Sequence, residues 1–279
     1  APAPAVAGLA GARAVTIAFE DVWFSYDPPG TPDAGRRWVL KGVSFEARPG
    51  RTVALVGHTG AGKTTIVNLL LRFYDPQRGR ITVNGVDTRQ IPGRVLRGLI
   101  GYVQQDIFLF AGDVAGNIRL SAPLSDAEVE RAAARVGADR IIRRFPDGYA
   151  HPLGERGGSV SVGERQLLSF ARAIAADPAV LVLDEATSAV DSEIEADIQA
   201  ALAELMAGRT TIAIAHRLST IVGADEILVL HHGQVVERGR HRDLLARRGL
   251  YDRLYRLQAG GGDAGHGASE RLPASGVLG

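Results

Sequence analysis

The chain has 279 residues, 46% of them hydrophobic and 23% charged, a balance that supplies a sizeable core and excludes global disorder. Its net charge of +1 argues against nucleic acid as the main partner, because binding a phosphate backbone calls for a basic excess. There is no cysteine, so disulfides and thiolate metal sites are excluded, and no apolar run reaches the ~18 residues needed to cross a bilayer.

In chain order, residues 1–14 are mostly small and read as a flexible linker, without the charged front and apolar run of a signal peptide. The sole methionine is Met206, so the chain is expected to be a piece of a longer polypeptide. Residues 15–56 hold two alternating segments, VTIAFEDVWFSY and VLKGVSFEA, separated by a Pro/Gly loop over residues 27–35; they predict a small antiparallel layer. Helical patterns dominate residues 106–175. There Ser125 and Asp126 cap a helix running through AEVERAAARVGA, and a second helix spans Glu164 to Ala176. Interleaved with these are the apolar runs TVALVG (52–57), VLVLDE (180–185) and TIAIAH (211–216), each short, β-rich and ending near a polar group. Such runs alternating with helices predict an α/β fold with a parallel sheet, whose ligands bind at the carboxyl ends of the strands. From Gly260 to Gly279 periodicity is lost, and the segment reads as a disordered tail.

The strongest chemical signal follows the first apolar run. Gly57, His58, Thr59, Gly60, Ala61, Gly62, Lys63 and Thr64 fit G-x-x-x-x-G-K-[ST] between a strand and a helix. The glycines let the backbone curl so that successive N–H groups point inward at phosphate oxygens, and the helix adds its positive end. Lys63 is expected to reach the β- and γ-phosphates of ATP, Thr64 to place its hydroxyl on Mg²⁺, and Thr65 to donate to a further phosphate oxygen. Only two of the 32 basic residues are lysine, Lys41 and Lys63. A chain that otherwise uses arginine thus keeps a compact ammonium where a point charge suits the cradle better than a guanidinium fork.

Asp184 and Glu185 end the second run. Adjacent residues on a strand face opposite sides, so the pair can divide two tasks: Asp184 holding Mg²⁺, Glu185 acting as general base on the attacking water. His216 ends the third run and is read either as a donor to the γ-phosphate or as a histidine satisfied by nearby backbone. Ser161 and the Val162 and Gly163 amides open an amphipathic helix and make a second anion-seeking end. A second surface that cannot fold back onto the first suggests a head-to-tail dimer with nucleotide in the interface.

The order GHTGAGKT, Gln105, VSVGE (160–164), VLVLDE, SAVD (188–191) and AHR (215–217) resembles the nucleotide-binding domain of ATP-binding cassette (ABC) transporters across residues 15–257. The resemblance implies a RecA-type phosphate-loop core with a parallel sheet, an N-terminal antiparallel β subdomain and an inserted α-helical subdomain, within a domain spanning 15–259. It implies that Tyr26 stacks on adenine, its alternative being a core aromatic. Gln105, with Gln104 as rival, implies a Mg²⁺-sensing glutamine. Ser161 and Gly163 imply contacts to the partner's γ-phosphate, Asp191 a dimer-communication aspartate, Glu185 the catalytic base and His216 the switch histidine. FLFAGDVAGNI, GERGG and AHRLSTI look like exporter-type (type IV) cassettes. By that resemblance the domain follows a transmembrane domain and works at the cytoplasmic face of the cell membrane, with a second cassette and coupling helices as partners. Phe108 and Phe110 read either as a socket for a coupling helix or as subdomain core. The signature departs from the common LSGGQ, with Val162 and Glu164, which suggests a weaker site and a non-identical partner. The alternative function is a soluble cassette ATPase acting on nucleic acid or the ribosome.

Overall fold

The computed structural model describes residues 6, 8–9, 11–120, 122–154, 160–184, 192–215 and 217–260. Its strands are β1 (Ile17–Phe24), β2 (Leu40–Ala47), β3 (Thr52–Val56), β4 (Arg78–Val83), β5 (Val86–Asp87), β6 (Ile100–Val103), β7 (Gly112–Asp113), β8 (Pro152–Leu153), β9 (Val180–Asp184), β10 (Thr210–Ile214), β11 (Glu226–His231) and β12 (Gln234–Gly239). Its α-helices are α1 (Lys63–Leu70), α2 (Gly93–Gly98), α3 (Val114–Arg119), α4 (Asp126–Arg135), α5 (Ala138–Ile142), α6 (Val162–Ala175), α7 (Ser192–Met206), α8 (Leu218–Gly223), α9 (His241–Ala246) and α10 (Leu250–Gly260).

The antiparallel layer has the order β2-β1-β4-β5, with Phe19 opposite both Phe45 and Ile81. The sequence pattern predicts two of these strands; β4 and β5 complete the layer from across the phosphate-loop helix. The main sheet has the order β12-β11-β3-β10-β9-β6, parallel except for the β11–β12 hairpin at its edge. The three apolar runs of the sequence sit side by side as β3, β10 and β9, buried at every position.

Alternation along these strands divides the core. Val53, Leu55, Val180, Val182, Ile212 and Ile214 face one way and pack with Ile66, Val67 and Leu70 of α1 and with the antiparallel layer. Leu181, Leu183 and Ala213 face the other way and pack with Leu167, Phe170 and Ile174 of α6 and Ile198 and Leu205 of α7. Farther along that second face, Ala54, Val56, Ile227 and Val229 meet Ile221, Leu244 and Tyr251. Each buried aliphatic or phenylalanine side chain contributes roughly 1.5–3 kcal/mol, enough for short stripes like that of α6 to fix a helix on the sheet.

The two helices predicted in this region form with shifted boundaries. Ser125 caps α4 in a capping box with Glu128, but α4 ends at Arg135 and α5 begins after Gly137, whose φ of +70° breaks the run. The later helix starts two residues before Glu164, at Val162, because Ser161 is its N-cap. In the segment read as a linker, Leu9 is 2% exposed within the main core and Arg13 pairs with Asp177. A short apolar foothold in a run of alanine and glycine carries too little periodicity to be seen in sequence. Among the described residues no helix is long and apolar enough to cross a membrane. Residues 261–279, nearly all of the segment read as a tail, lie outside the described residues.

Candidate functional site

Residues 57–62 connect β3 to α1 at the carboxyl end of the parallel sheet. The loop follows its course because glycine is required at its ends. A Cβ at Gly57 would lie 2.4 Å from the Leu230 carbonyl oxygen. At Gly62, with φ of +107°, it would lie 2.6 Å from Leu40 Cδ2. Gly62 is the N-cap of α1 and offers no side-chain oxygen to its amides, so the first turn keeps the open donors and positive end that suit an anion.

Lys63 is 7% exposed and donates to the carbonyls of Gly57 at 2.6 Å and His58 at 3.0 Å. Burial lowers its pKa below the ordinary 10.5, an effect partly offset by the negative charge of Asp184. Asp184, the last residue of β9, is itself buried and, by alternation from Val180 and Val182, lies on the α1 side of the sheet. Tyr102 of β6, beside Val182 of β9, feels the same charge. Burial and Asp184 push its phenol up to about 12. The sequence reading missed Tyr102; its signal is the alternation of Ile100 and Tyr102 along a strand that turns out to neighbour β9.

Thr65 is buried and its hydroxyl lies 3.2 Å from the Tyr26 hydroxyl. Tyr26 is 50% exposed beside the loop, and it meets Phe24 and Tyr74 edge-on at centroid distances of 4.8 Å and 5.2 Å. The exposed ring is not a core aromatic. Tyr74, in RFYDP after α1, is a second exposed ring at this edge that the sequence reading missed. Gln104 and Gln105 are both exposed just after β6, at the same end of the sheet, and the position of the backbone does not separate them.

At α6 the serine hydroxyl of Ser161 accepts the Glu164 N–H at 3.3 Å, and the Glu164 carboxylate accepts the Ser161 N–H at 2.9 Å. The acidic residue of VSVGE is thus folded back as a cap on its own helix. Val162 is exposed and Gly163 buried. Phe108 and Phe110 are about half exposed and pack edge-on at 5.0 Å, so they are surface aromatics of the subdomain and not its core. Arg172 of α6 holds this segment. It donates to the carbonyls of Phe108 and Asn117 and to the Asn117 side chain, and its guanidinium lies 5.6 Å from the Phe110 ring centre. Glu185, Asp191 and His216 lie outside the described residues. The structure therefore brings together the phosphate loop, Asp184, Tyr26 and the Gln104–Gln105 segment around one end of the sheet, and puts α6 on the opposite face.

A phosphate loop at the carboxyl ends of a parallel sheet, flanked by an antiparallel layer and a helical subdomain, defines an ATP-binding domain of the ATPase class. The chain belongs to the ABC transporter family, whose family model matches residues 40–188. Among curated relatives, it is 48% identical over 256 residues to a fatty acid ABC transporter ATP-binding/permease protein of Mycobacterium bovis, covering 91% of this chain and 39% of that protein. It is 49% identical over 245 residues to human ATP-binding cassette sub-family B member 6, covering 88% of this chain and 28% of that one. Among solved structures, a bacterial Atm1-family ABC exporter with ATP bound superposes with a TM-score of 0.79 at 43% identity, covering 88% of this chain and 42% of that chain. The chain thus spans about two fifths or less of the length of these relatives.

Proposed function

We propose that this chain is the cassette of an exporter, binding and hydrolysing ATP to drive substrate across a membrane from its cytoplasmic face. The observation that carries the reading is Lys63: a buried ammonium, held for the moment by loop carbonyls, at the open N-terminus of α1 and facing the charge of Asp184. The residues fit Mg·ATP. The donor chemistry is a hydroxyl at Thr64 and a buried carboxylate at Asp184, oxygen groups of the kind that Mg²⁺ prefers, and the glycines let the loop pack against Leu40 and Leu230 where side chains would clash. Mg²⁺, when bound, neutralises charge developing on the β- and γ-phosphate oxygens.

Lys63 releases the Gly57 and His58 carbonyls to grip the phosphates, while the amides of residues 58–64 surround them. Tyr26 offers its exposed ring to adenine. Glu185 orients and deprotonates the attacking water, and His216 donates to the γ-phosphate. Gln105 joins the metal's surroundings and passes the state of the site toward a membrane-spanning partner through the Phe108–Phe110 surface. Ser161 and Gly163 complete the site of a second cassette placed head to tail. The permease segment in the name of the mycobacterial relative supports this reading over a soluble cassette acting on nucleic acid or the ribosome.

Replacing Glu185 by Gln is the test of the chemistry. ATP binding, followed by fluorescence of a nucleotide analogue, should persist while phosphate release falls to background. Unchanged hydrolysis would remove Glu185 from the role of base.

A further inference from the structure

We propose that His58, His231 and His232 form a binding site for one transition-metal ion of the zinc and copper class, tying the phosphate loop to the β11–β12 turn. Nothing in the nucleotide chemistry above uses these three rings together. One ligand atom from each lies within 4.8 Å of those of the other two, and among the described residues this is the group of histidines and carboxylates that comes so close. The ring centres are 5.2 Å apart for His58 and His231, 5.4 Å for His58 and His232, and 4.1 Å for His231 and His232. A tetrahedral ion with metal–nitrogen bonds of about 2.0–2.1 Å needs nitrogens about 3.4 Å apart, so modest ring rotations close the site.

The hydrogen bonding of the rings favours ligation. His58 Nδ1 sits 2.7 Å from the Thr59 carbonyl oxygen. A carbonyl only accepts, so Nδ1 carries the hydrogen and Nε2 of the neutral ring keeps its lone pair, which is how an outer hydrogen bond prepares a metal-binding imidazole. His231 Nδ1 is shut off from solvent with no hydrogen-bond partner, an unfavourable state that is offset if this nitrogen is the ligand atom. His232 adopts a left-handed φ of +47°, which keeps its ring beside that of His231. The scaffold is already joined, because the Gly233 N–H donates to the Ala61 carbonyl of the phosphate loop at 3.2 Å. His58 and His232 are exposed, so an ion has an entry path and room for a water as fourth ligand.

Three imidazoles select zinc, copper or nickel over the oxygen-seeking Mg²⁺, so the site is separate from the metal that accompanies ATP. The test is a calorimetric titration of the untagged 279-residue chain with Zn²⁺, without nucleotide and in excess Mg²⁺, alongside the visible spectrum of its Co²⁺ form. One equivalent should bind, and His231→Ala and His232→Asn should each weaken it roughly tenfold or more and erase the Co²⁺ bands. Asn tolerates the left-handed backbone, so loss in that variant, with an unchanged urea midpoint, reports lost ligation and not misfolding. His151→Gln, remote from the cluster, should bind as the parent does. Absence of stoichiometric binding, or equal binding by His232→Asn, would overturn the proposal and leave the nucleotide reading untouched.

Discussion

Lys63 shows how one residue joins stability to ligand binding. Its ammonium is buried against two carbonyls and within the field of the Asp184 carboxylate, an arrangement that leaves it less well stabilised than in water. A lysine with a folded pKa below the unfolded 10.5 binds fewer protons folded than unfolded in the window under 10.5. Stability of the empty chain therefore rises with pH there. A triphosphate reverses the sign by favouring the charged form, so Mg·ATP binding should take up protons at alkaline pH. Titrations in buffers of different ionisation enthalpy should reveal this uptake, and Lys63→Ala should abolish it. The same variant should lose roughly 10- to 100-fold in Mg·ATP affinity, the worth of a charge-assisted hydrogen bond of about 1.5–3 kcal/mol. Lysine scarcity makes this residue legible in the sequence. Tyr102 and Tyr74 are not, because their importance comes from which strand or loop lies beside them, and no local pattern encodes that.

Among the elements, caps and breakers were readable and long-range pairings were not. Ser125 with Glu128 and the glycine at 137 act within four residues, so their chemistry is written locally. Strand β4 lies some sixty residues from β1, and RGRITV gives no sign of the partner that makes it a strand. The link between α6 and the Phe108–Asn117 segment is of the second kind. It runs through the fork of Arg172, whose pKa burial lowers and whose donors reach two backbone carbonyls and one amide oxygen. Removing it leaves those acceptors without their cation. Arg172→Ala should therefore cost about 2 kcal/mol or more in urea unfolding and should speed amide exchange selectively over residues 108–117. A drop in stability without local exchange would mean that Arg172 acts by packing alone.

For the whole molecule the decisive feature is that the sheet separates two helix N-termini. Helix α1 rests on the face formed by Val53, Val182 and Ile214, and α6 on the face formed by Leu181, Leu183 and Ala213. Bringing Ser161 over its own phosphate loop would unpack one of these cores at roughly 1.5–3 kcal/mol per exposed side chain, which favours the proposed reading in which Ser161 completes the loop of another molecule. Two inactive variants should then rescue one another. Lys63→Ala spoils a loop and keeps a signature; Ser161→Ala keeps the loop, spoils the signature and gives up about 1 kcal/mol of helix capping. In a head-to-tail pair of unlike variants, one of the two composite sites is intact. Mixed in equal amounts, the chains should hydrolyse ATP well above the sum of their separate rates. If both variants stay folded and the mixture shows no gain, the proposed pairing of two identical chains is ruled out, and Glu164 is the residue to change first. As Gln it keeps the cap on Ser161 but removes a negative charge next to the proposed phosphate contact, so turnover with a non-identical partner cassette should rise.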